Sequence, residues 1–493
     1  MVGAIADQAV PRQTMPARGA LLRLWWAALS IGAAHLFVKA LHLGASSLWL
    51  DEAVAVHTAQ LGPLSIVTAS CGDTTPPVYY LVLAAVERLF GVSEVAVRFP
   101  SVLFSAAAGA LLLVLSRKWF GPLGSWIASA LYLVSDVNYH YARQARPYAM
   151  VSMLCILSFL LLVRALERPA RSAWAALATV NALMLFTHYA SVLAVVGQAL
   201  ACLLPWRGRR AVVSFGVSHS PVALAYLGWV VPLMTAGQQH KMEWLPSFRW
   251  GHLWAMLNWF AGSRPGGPAF LVLAAMATIA LLGRRVWGGS LAFRIAIPVI
   301  SWAFLPVAMA LALSPFVRFL HARYLLYVTP GFVLFWTLTV LALPTRLRAL
   351  GAALVSAITL AGFGRSMRTV EADWRQAAER VQAIPSARVL LAPPYEAVSF
   401  AYYFDRSAFT DPAHTWAILS ARGVRTMREG TDLDLLDLDG VERVVLVLAG
   451  PAREGNIERL VASRGFEVKS SGELTGIRIA ECVRPALEVS GTR

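Results

Sequence analysis

Leu48-Trp49-Leu50-Asp51-Glu52 sets two adjacent carboxylates just past the first strongly apolar segment, about residues 21–43. A polar stretch follows, and then Gly72-Asp73-Thr74-Thr75-Pro76-Pro77. In a chain this apolar, acids beside a membrane segment are the exception. An ionisable group at membrane depth is costly to keep, so it is a functional hypothesis by default. A second reading stands beside that one: Asp51 caps the following helix and the pair simply faces water. The residues alone leave the two open.

The surroundings of the pair decide the fold class. Of 493 residues, 58% are hydrophobic and 14% charged, and the mean hydropathy is +0.60. Soluble domains carry charge at roughly a quarter of their positions. Runs long enough to span a bilayer recur through the first three quarters of the chain. The composition is that of a polytopic α-helical membrane protein. A formal charge of +16 would suit nucleic acid, but the Arg residues are dispersed in short loops between apolar segments, where the positive-inside rule puts them. Nucleic acid is therefore not an expected partner. The first apolar segment follows Arg12, Arg18 and Arg23 and is long, so it reads as a true span and not as a signal peptide. The four cysteines form no metal-spaced cluster. Cys155 and Cys202 fall in apolar helices. Cys71 and Cys482 would share one face of the membrane, where pairing is open.

Placed by apolar length and oriented by Arg and Lys, about eleven spans are expected. The N-terminus is cytoplasmic and segment 21–43 exits, which leaves Asp51-Glu52 outside. Residues 76–90 are apolar but short and read as a helix in the outer interface. Further spans are expected at about 95–116, 123–139, 145–166, 174–188, 189–204, 211–232, 268–282, 293–313, 324–343 and 349–364. Arg117-Lys118, Arg164/Arg168/Arg171, Arg207/Arg209/Arg210, Arg284-Arg285 and Arg346/Arg348 then all fall in cytoplasmic loops. The chain divides into a transmembrane domain, residues 1–366, and a tail, residues 367–493, in which charge is frequent and apolar runs are short. Residues 389–392, 444–448, 466–469 and 477–482 read as strands and 454–464 as a helix. That alternation predicts a small extracytoplasmic α/β domain.

The same placement gathers particular residues on the outer face. Asp51 and Glu52 are joined there by Arg98, by His140-Tyr141-Ala142-Arg143-Gln144-Ala145-Arg146-Pro147-Tyr148 and by Thr187-His188-Tyr189. A loop at 235–267 adds Gln238, His240, Lys241 and Trp244-Leu245-Pro246. Residues 314–324 add Arg318, His321, Arg323 and Tyr324. Outer loops should be poor in Arg, yet Arg98, Arg143, Arg146, Arg318 and Arg323 sit there. The planar fork of Arg donors suits phosphate. Taken singly, each Arg is more simply a side chain reaching for lipid headgroups. The collection, with its aromatic and His companions, points to a phosphate held beside a base. Asp136, in the outer half of an apolar helix, should face a cavity or a cation.

Several short motifs follow one another in a familiar order: Leu-Trp-Leu-Asp51-Glu52-Ala, Thr-Pro76-Pro77-Val-Tyr79-Tyr80, Val97-Arg98-Phe-Pro100-Ser101 and Ala142-Arg143-Gln144-Ala145-Arg146-Pro147-Tyr148-Ala149. Thr187-His188-Tyr189, Trp244-Leu245-Pro246, Arg323-Tyr324-Leu325 and Asp373-Trp374-Arg375 continue the series. The chain resembles the C-type membrane glycosyltransferases, in the glycosyltransferase family 39-like branch of the protein O-mannosyltransferases and lipid A aminoarabinose transferases. The likeness covers nearly the whole chain, including the tail. It implies a polyprenyl-monophosphate-linked sugar as donor and an acceptor hydroxyl or amine on lipid, protein or glycan. It implies transfer at the extracytoplasmic face of the plasma (inner) membrane, with the first-loop acid Asp51 catalytic and Glu52 beside it. On that basis Arg323, Arg318 and Arg146 face the donor phosphate, followed by Arg98 and Lys241. Tyr141, Arg143, His188 and Tyr324 complete the substrate-binding set. One departure stands out. Many relatives carry an acid where this chain has Gln144; if that acid binds acceptor or a divalent metal, this chain lacks it or uses Asp136 or Asp73 instead, and no metal ligand and no other cofactor is assigned. The principal rival is a flippase or transporter of polyprenyl-linked sugars without transferase activity. It shares the apolar bulk and the Arg residues. It needs charges along a path through the bilayer, and it does not need paired acids on one face.

Overall fold

The computed structural model describes residues 18–71, 73, 75–204, 208–235, 249–260, 272, 274–276, 290–316, 320–367, 372–428, 438–450, 452 and 457–485. Backbone surrounded by lipid must satisfy its own polar groups, and the apolar runs do so as helices. Helix α1 (Arg18–Ala40) leads through α2 (Leu50–Ala59) and α3 (Pro63–Ser70) to α4 (Pro77–Phe90). Then come α5 (Glu94–Leu133), α6 (Asp136–Ala142), α7 (Tyr148–Glu167) and α8 (Arg171–Leu185). A 3-10 turn at Tyr189–Ser191 precedes α9 (Val192–Cys202), α10 (Gly208–Thr235), α11 (Trp250–Phe260) and α12 (Ser290–Leu313). A second 3-10 segment, Ala322–Val328, runs into α13 (Thr329–Ala342), followed by α14 (Thr345–Ser366).

Among the described residues, seven helical stretches are long and apolar enough to cross a membrane. Their outward faces carry Leu22, Trp26, Leu29 and Phe37 on α1, Val217 and Leu224 on α10, and Leu350 and Leu360 on α14, all exposed. Apolar faces of this extent belong against lipid. The protein is a polytopic α-helical membrane protein. Two expected spans, 174–188 and 189–204, are realised as shorter helices, of 15 residues in α8 and 11 in α9. The expected span at 268–282 lies almost entirely outside the described residues.

The expected pair of spans at 95–116 and 123–139 is one continuous helical run, α5, broken at Gly121, whose φ of 68° precedes Pro122. The break is a reversal. His35 of α1 stacks near Tyr132 (ring centroids 5.5 Å), and a Cβ placed on Gly109 would fall 2.6 Å from the same imidazole. Residues 23 apart in a straight helix would lie roughly 35 Å from each other at 1.5 Å per residue, so the two halves of α5 run antiparallel. This interface carries a chain of buried polar groups. Lys39 Nζ lies 3.0 Å from His35 Nδ1 and donates to Ser105 Oγ at 2.6 Å. Ser105 donates to Asn138 Oδ1 (3.3 Å), and Asn138 Nδ2 donates to Tyr132 O (2.8 Å).

The tail holds a five-stranded sheet of order β2-β1-β3-β5-β4. Its strands are β1 (Arg388–Ala392), β2 (Val424–Thr426), β3 (Arg443–Ala449), β4 (Glu467–Leu474) and β5 (Ile477–Val483). Strand β1 runs parallel to β2 and β3, and β5 antiparallel to β3 and β4. Strands β1 and β3 are continuous apolar runs because both faces are covered. One face, with Val389, Leu391, Val445 and Val447, joins the core of α15 (Trp374–Gln382) and α16 (Ala397–Phe404). The other, with Leu390, Leu446 and Leu448, packs against Ile457 and Val461 of α19 (Ile457–Ser463). Between the two faces of chain order lie the short α17 (Arg406–Thr410) and α18 (Thr415–Ala421). Strand β2, only three residues long, is not apparent from the sequence. Cys482 is buried in the second core, Cys71 is exposed, and the two are not bridged.

The sheet domain is tied to the helical part beside α2. Leu48 N donates to Tyr403 Oη at 2.7 Å, and His57 Nε2 lies 2.9 Å from Thr415 Oγ1. The Asp373-Trp374-Arg375 motif works as a strap. Arg375 Nη2 donates to Glu94 Oε1 (2.7 Å) and Gly44 O (3.2 Å), and Ser47 Oγ donates to Asp373 Oδ1 (3.4 Å).

Gly109 is the close-approach point of the α1–α5 interface. Gly109→Ala should push His35 off Lys39 and cost about 1–3 kcal/mol, the usual range for overpacking. A lowered melting temperature in detergent is the expected result; an unchanged one would show that the imidazole has room to move.

Candidate active site

The first turn of α2 sends its two acids into different surroundings. At 3.6 residues per turn, neighbouring side chains point about 100° apart, so Asp51 and Glu52 cannot share one pocket. Trp49 is the N-cap residue, and its N–H donates back to Glu52 Oε2 at 3.4 Å. Both acids sit at the positive end of the helix dipole.

Glu52 is wholly buried. Its Oε1 accepts from Arg98 Nε and from Ala145 N, each at 2.8 Å, and its Oε2 accepts from Arg98 Nη2 at 2.7 Å. Arg98 is 2% exposed and gives its remaining donors to the carbonyls of Leu43, Ser46 and Ser47, each at 2.9 Å. Isolated charges at this depth would cost several kcal/mol each; here both are paired and hydrogen-bonded throughout. The pair binds the 43–47 segment, the head of α2, the start of α5 and the turn after α6 into one unit. Glu52 and Arg98 thus lie behind the cleft, saturated by each other.

Asp51 faces the cleft, its side chain 23% exposed. Oδ2 accepts from Arg323 Nη1 at 2.9 Å, and Arg146 Nη2 stands 3.8 Å from the same oxygen. Arg146 Nη1 donates to the Asp51 backbone carbonyl at 3.0 Å. None of these bonds uses Oδ1. Arg146 reaches Asp51 because the turn that carries it is docked: Ala145 N is on Glu52, and Arg146 O accepts from Ser101 Oγ at 3.2 Å. Arg323 stands at the start of the Ala322–Val328 segment. Among the described residues, two guanidinium groups thus stand against the one Asp51 carboxylate.

Aromatic rings surround these cations. Arg323 lies over Trp49 (5.8 Å to the centroid) and Tyr324 (5.4 Å), and Arg146 over Tyr148 (5.8 Å). Such contacts hold a guanidinium without neutralising it. Tyr141 packs edge-on against Tyr148 (5.0 Å) and Trp259 (5.7 Å). His188 lies between Tyr148 (5.8 Å) and Tyr324 (5.4 Å), and its Nδ1 accepts from Ala190 N at 3.3 Å. His321 caps the Arg323 segment through Nδ1; burial first, and then the Arg323 charge, pushes it down to about 4. It is neutral at physiological pH, so the positive charge here belongs to the two Arg residues.

Other expected members of the site lie elsewhere. Arg143 donates to the carbonyls of Leu41 (2.8 Å) and His42 (2.9 Å) and to the Tyr139 hydroxyl, closing off the end of α1. Lys241 and Arg318 fall outside the described residues. Asp136 is buried in the first turn of α6. Among the described residues no three His, Cys, Asp or Glu side chains converge as metal ligands. Gln144 Nε2 donates to His140 Nε2 at 3.1 Å, an amide in place of the acid that the family pattern implies.

Two contributors are not apparent from the sequence. Trp259 belongs to α11, within residues 235–267, which read as a loop. Glu396 ends the Pro394–Glu396 turn between β1 and α16, is half-buried, and accepts from Ser399 Oγ at 3.0 Å. Burial pushes its carboxyl up to about 7; the Ser399 bond works against that rise and the Asp51 charge adds to it. Its one sequence signal is to be the lone charge in residues 389–404.

Residues 74–235 match the family model of dolichyl-phosphate-mannose-protein mannosyltransferase, a stretch that holds Arg98, Arg146 and His188. Among curated protein sequences none matches the chain. In three dimensions the chain is similar to ArnT from Cupriavidus metallidurans in the apo state, at 12% identity and a TM-score of 0.55, covering 94% of this chain and 98% of that one. The same protein bound to undecaprenyl phosphate aligns at 13% identity and a TM-score of 0.56 over the same shares. The Archaeoglobus fulgidus oligosaccharyltransferase in complex with Zn and sulfate aligns at 11% identity and a TM-score of 0.50, covering 93% of this chain and 72% of that one. At these identities the structural likeness is one of fold. The chain thus shares the fold of these membrane glycosyltransferases over nearly its whole length, and residues 74–235, from α4 to α10, carry the mannosyltransferase family pattern.

Proposed function

We propose that the protein transfers a sugar from a polyprenyl-phosphate-linked donor to an acceptor hydroxyl or amine, with Asp51 as general base. The observation that carries this reading is the contact of the single Asp51 carboxylate with two guanidinium groups, those of Arg323 and Arg146. A donor phosphodiester brings one negative charge. When the glycosidic bond breaks, its electron pair stays on the phosphate oxygen and a second charge develops there. Guanidinium groups already in place stabilise that charge without reorganising. The acceptor oxygen or nitrogen forms the new bond to the anomeric carbon, and its proton passes to Asp51 Oδ1. One displacement inverts the anomeric centre. Undecaprenyl phosphate in the similar ArnT structure supports a lipid-phosphate carrier.

The site faces the extracytoplasmic side of the plasma membrane in this reading. The support is charge asymmetry: Lys118, just before the α5 reversal, pairs with Glu167 at the end of α7, and Arg164, Arg168, Arg209, Arg210, Arg346 and Arg348 stand in the terminal turns of helices or beside them at that same end. Residues 367–493 then form an extracytoplasmic domain standing over the cleft, and residues 1–366 the transmembrane catalytic domain. Glu52 and Arg98 act by positioning, and Tyr141, His188 and Tyr324 wall the substrate pocket.

Three variants test these roles. Asp51→Asn should lower radiolabel transfer from polyprenyl-phosphate sugars in membranes by roughly a hundred- to ten-thousand-fold, with the melting temperature little changed; normal transfer would remove Asp51 from the role of base. Arg323→Ala should weaken donor dependence at least tenfold, as expected for loss of a charge-assisted bond of about 1.5–3 kcal/mol. An unchanged donor concentration dependence would remove the phosphate assignment. Glu52→Gln should instead act on stability, costing about 3–5 kcal/mol by leaving Arg98 buried without its counter-charge; a melting curve like that of wild type would refute the clamp.

A further inference from the structure

Two of the sequence motifs, Thr-Pro76-Pro77-Val-Tyr79-Tyr80 at the head of α4 and Val97-Arg98-Phe-Pro100-Ser101 near the start of α5, supply neither of the guanidinium groups on Asp51. Their buried hydroxyls meet each other instead. Tyr79 Oη lies 3.1 Å from Ser101 Oγ, and both residues are wholly buried. Ser101 Oγ donates to Arg146 O at 3.2 Å. A serine hydroxyl has one hydrogen. It is spent on Arg146, so Tyr79 is the donor to Ser101. Burial holds the Tyr79 phenol well above its usual range, so this proton stays in place. The series runs one way, from Tyr79 through Ser101 to the Arg146 carbonyl.

Ser101 departs from the habit of other buried helix hydroxyls in this chain. Ser116 of α5, Thr337 and Thr339 of α13 and Thr359 of α14 each turn back onto the carbonyl four residues earlier, at 2.6, 2.9, 2.9 and 2.8 Å. That bond is open to any Ser or Thr inside a helix, and for Ser101 it would end on Val97 O. Ser101 instead accepts from Tyr79 and points its hydrogen at a different segment. Tyr79 is itself anchored, because Val78 N donates to Phe186 O at 3.1 Å. The neighbouring backbone groups of the turn are taken as well: Ala145 N donates to Glu52 Oε1 at 2.8 Å and Arg146 N to Gln144 O at 2.7 Å. The Ser101 bond completes the set.

We propose that Tyr79 and Ser101 are positioning residues for Arg146: through its carbonyl they fix the backbone from which its guanidinium reaches Asp51 and the donor phosphate. This inference rests on the lipid-phosphate donor proposed above. Without the phenol hydroxyl, Ser101 is free to turn back onto Val97 O, and the Arg146 carbonyl loses its donor. The guanidinium then no longer has one fixed origin. The simpler role for Tyr79 is to fill the core around α4. That role needs the ring and not the hydroxyl, so Tyr79→Phe separates the two.

The test is a pair of double-mutant cycles. Undecaprenyl phosphate binding is measured on the purified full-length protein, and transfer of label from undecaprenyl-phosphate sugars is measured in membranes. The variants are Tyr79→Phe, Ser101→Ala, Arg146→Ala, and Tyr79→Phe combined with each of the other two. Tyr79→Phe and Ser101→Ala should each weaken carrier binding roughly three- to tenfold, the loss of about one hydrogen bond. Tyr79→Phe should add no further loss to Ser101→Ala or to Arg146→Ala, since residues acting in series are not additive. Wild-type binding by Tyr79→Phe, or losses that multiply in either combination, would overturn the positioning role. Wild-type protein that binds the carrier but transfers no sugar would overturn the transferase reading and leave the positioning role to be judged by the binding cycles. Wild-type protein that does not bind undecaprenyl phosphate would overturn both.

Discussion

The buried bond between Glu52 and Arg98 is the contact on which the rest of the cleft depends. It is bidentate, it is shielded from water, and every remaining donor of the Arg ends on a backbone carbonyl. Three pieces of chain far apart in sequence meet there: residues 43–52, the start of α5 and the turn after α6. One consequence is mechanical: Ala145 is held on Glu52, so Arg146 has no choice but to reach Asp51. A pair this deep adds little net stability over an apolar filling of the same shape. Its value lies in fixing where the neighbouring acid and the two cleft cations stand.

That arrangement separates two acids that sequence places side by side. Helical geometry turns one inward and one outward, and the inward acid is spent on structure. The outward acid has one oxygen, Oδ1, that takes no part in these bonds among the described residues, and it stands between two guanidinium groups whose charge it only half offsets. Aromatic faces and a neutral His321 complete the wall. Such a cleft is prepared for an anion that gains charge during reaction, and it needs little rearrangement when that charge appears.

The helices, the reversal at Gly121-Pro122 and the three-way meeting of Asp51, Arg146 and Arg323 are legible in the sequence. They rest on apolar run length, on Arg and Lys in alternate loops, and on short motifs in a particular order. The different fates of Asp51 and Glu52 are not legible. Adjacency does not say which side chain is buried, and the decision is made by Arg98, 46 residues away. Arg98 and Arg143 read as cleft cations because an Arg near the outer end of a helix looks the same whether it meets a substrate or a carbonyl. Helix α11, with Trp259, is hidden in a stretch too short and too interrupted to show a helical period. Glu396 is out of reach of local reasoning altogether, since the Asp51 charge acts on its carboxyl only once the sheet domain is docked on α2.

The central claim is that Asp51 accepts a proton while the donor phosphate leaves in a single displacement. An acceptor that carries no proton bypasses the base, so azide supplied to Asp51→Ala isolates that step. The account predicts that this variant, inert toward its ordinary acceptors, forms a glycosyl azide from an undecaprenyl-phosphate sugar with the anomeric configuration inverted. A product of retained configuration, or ordinary acceptor transfer that proceeds in Asp51→Ala without azide, would contradict it.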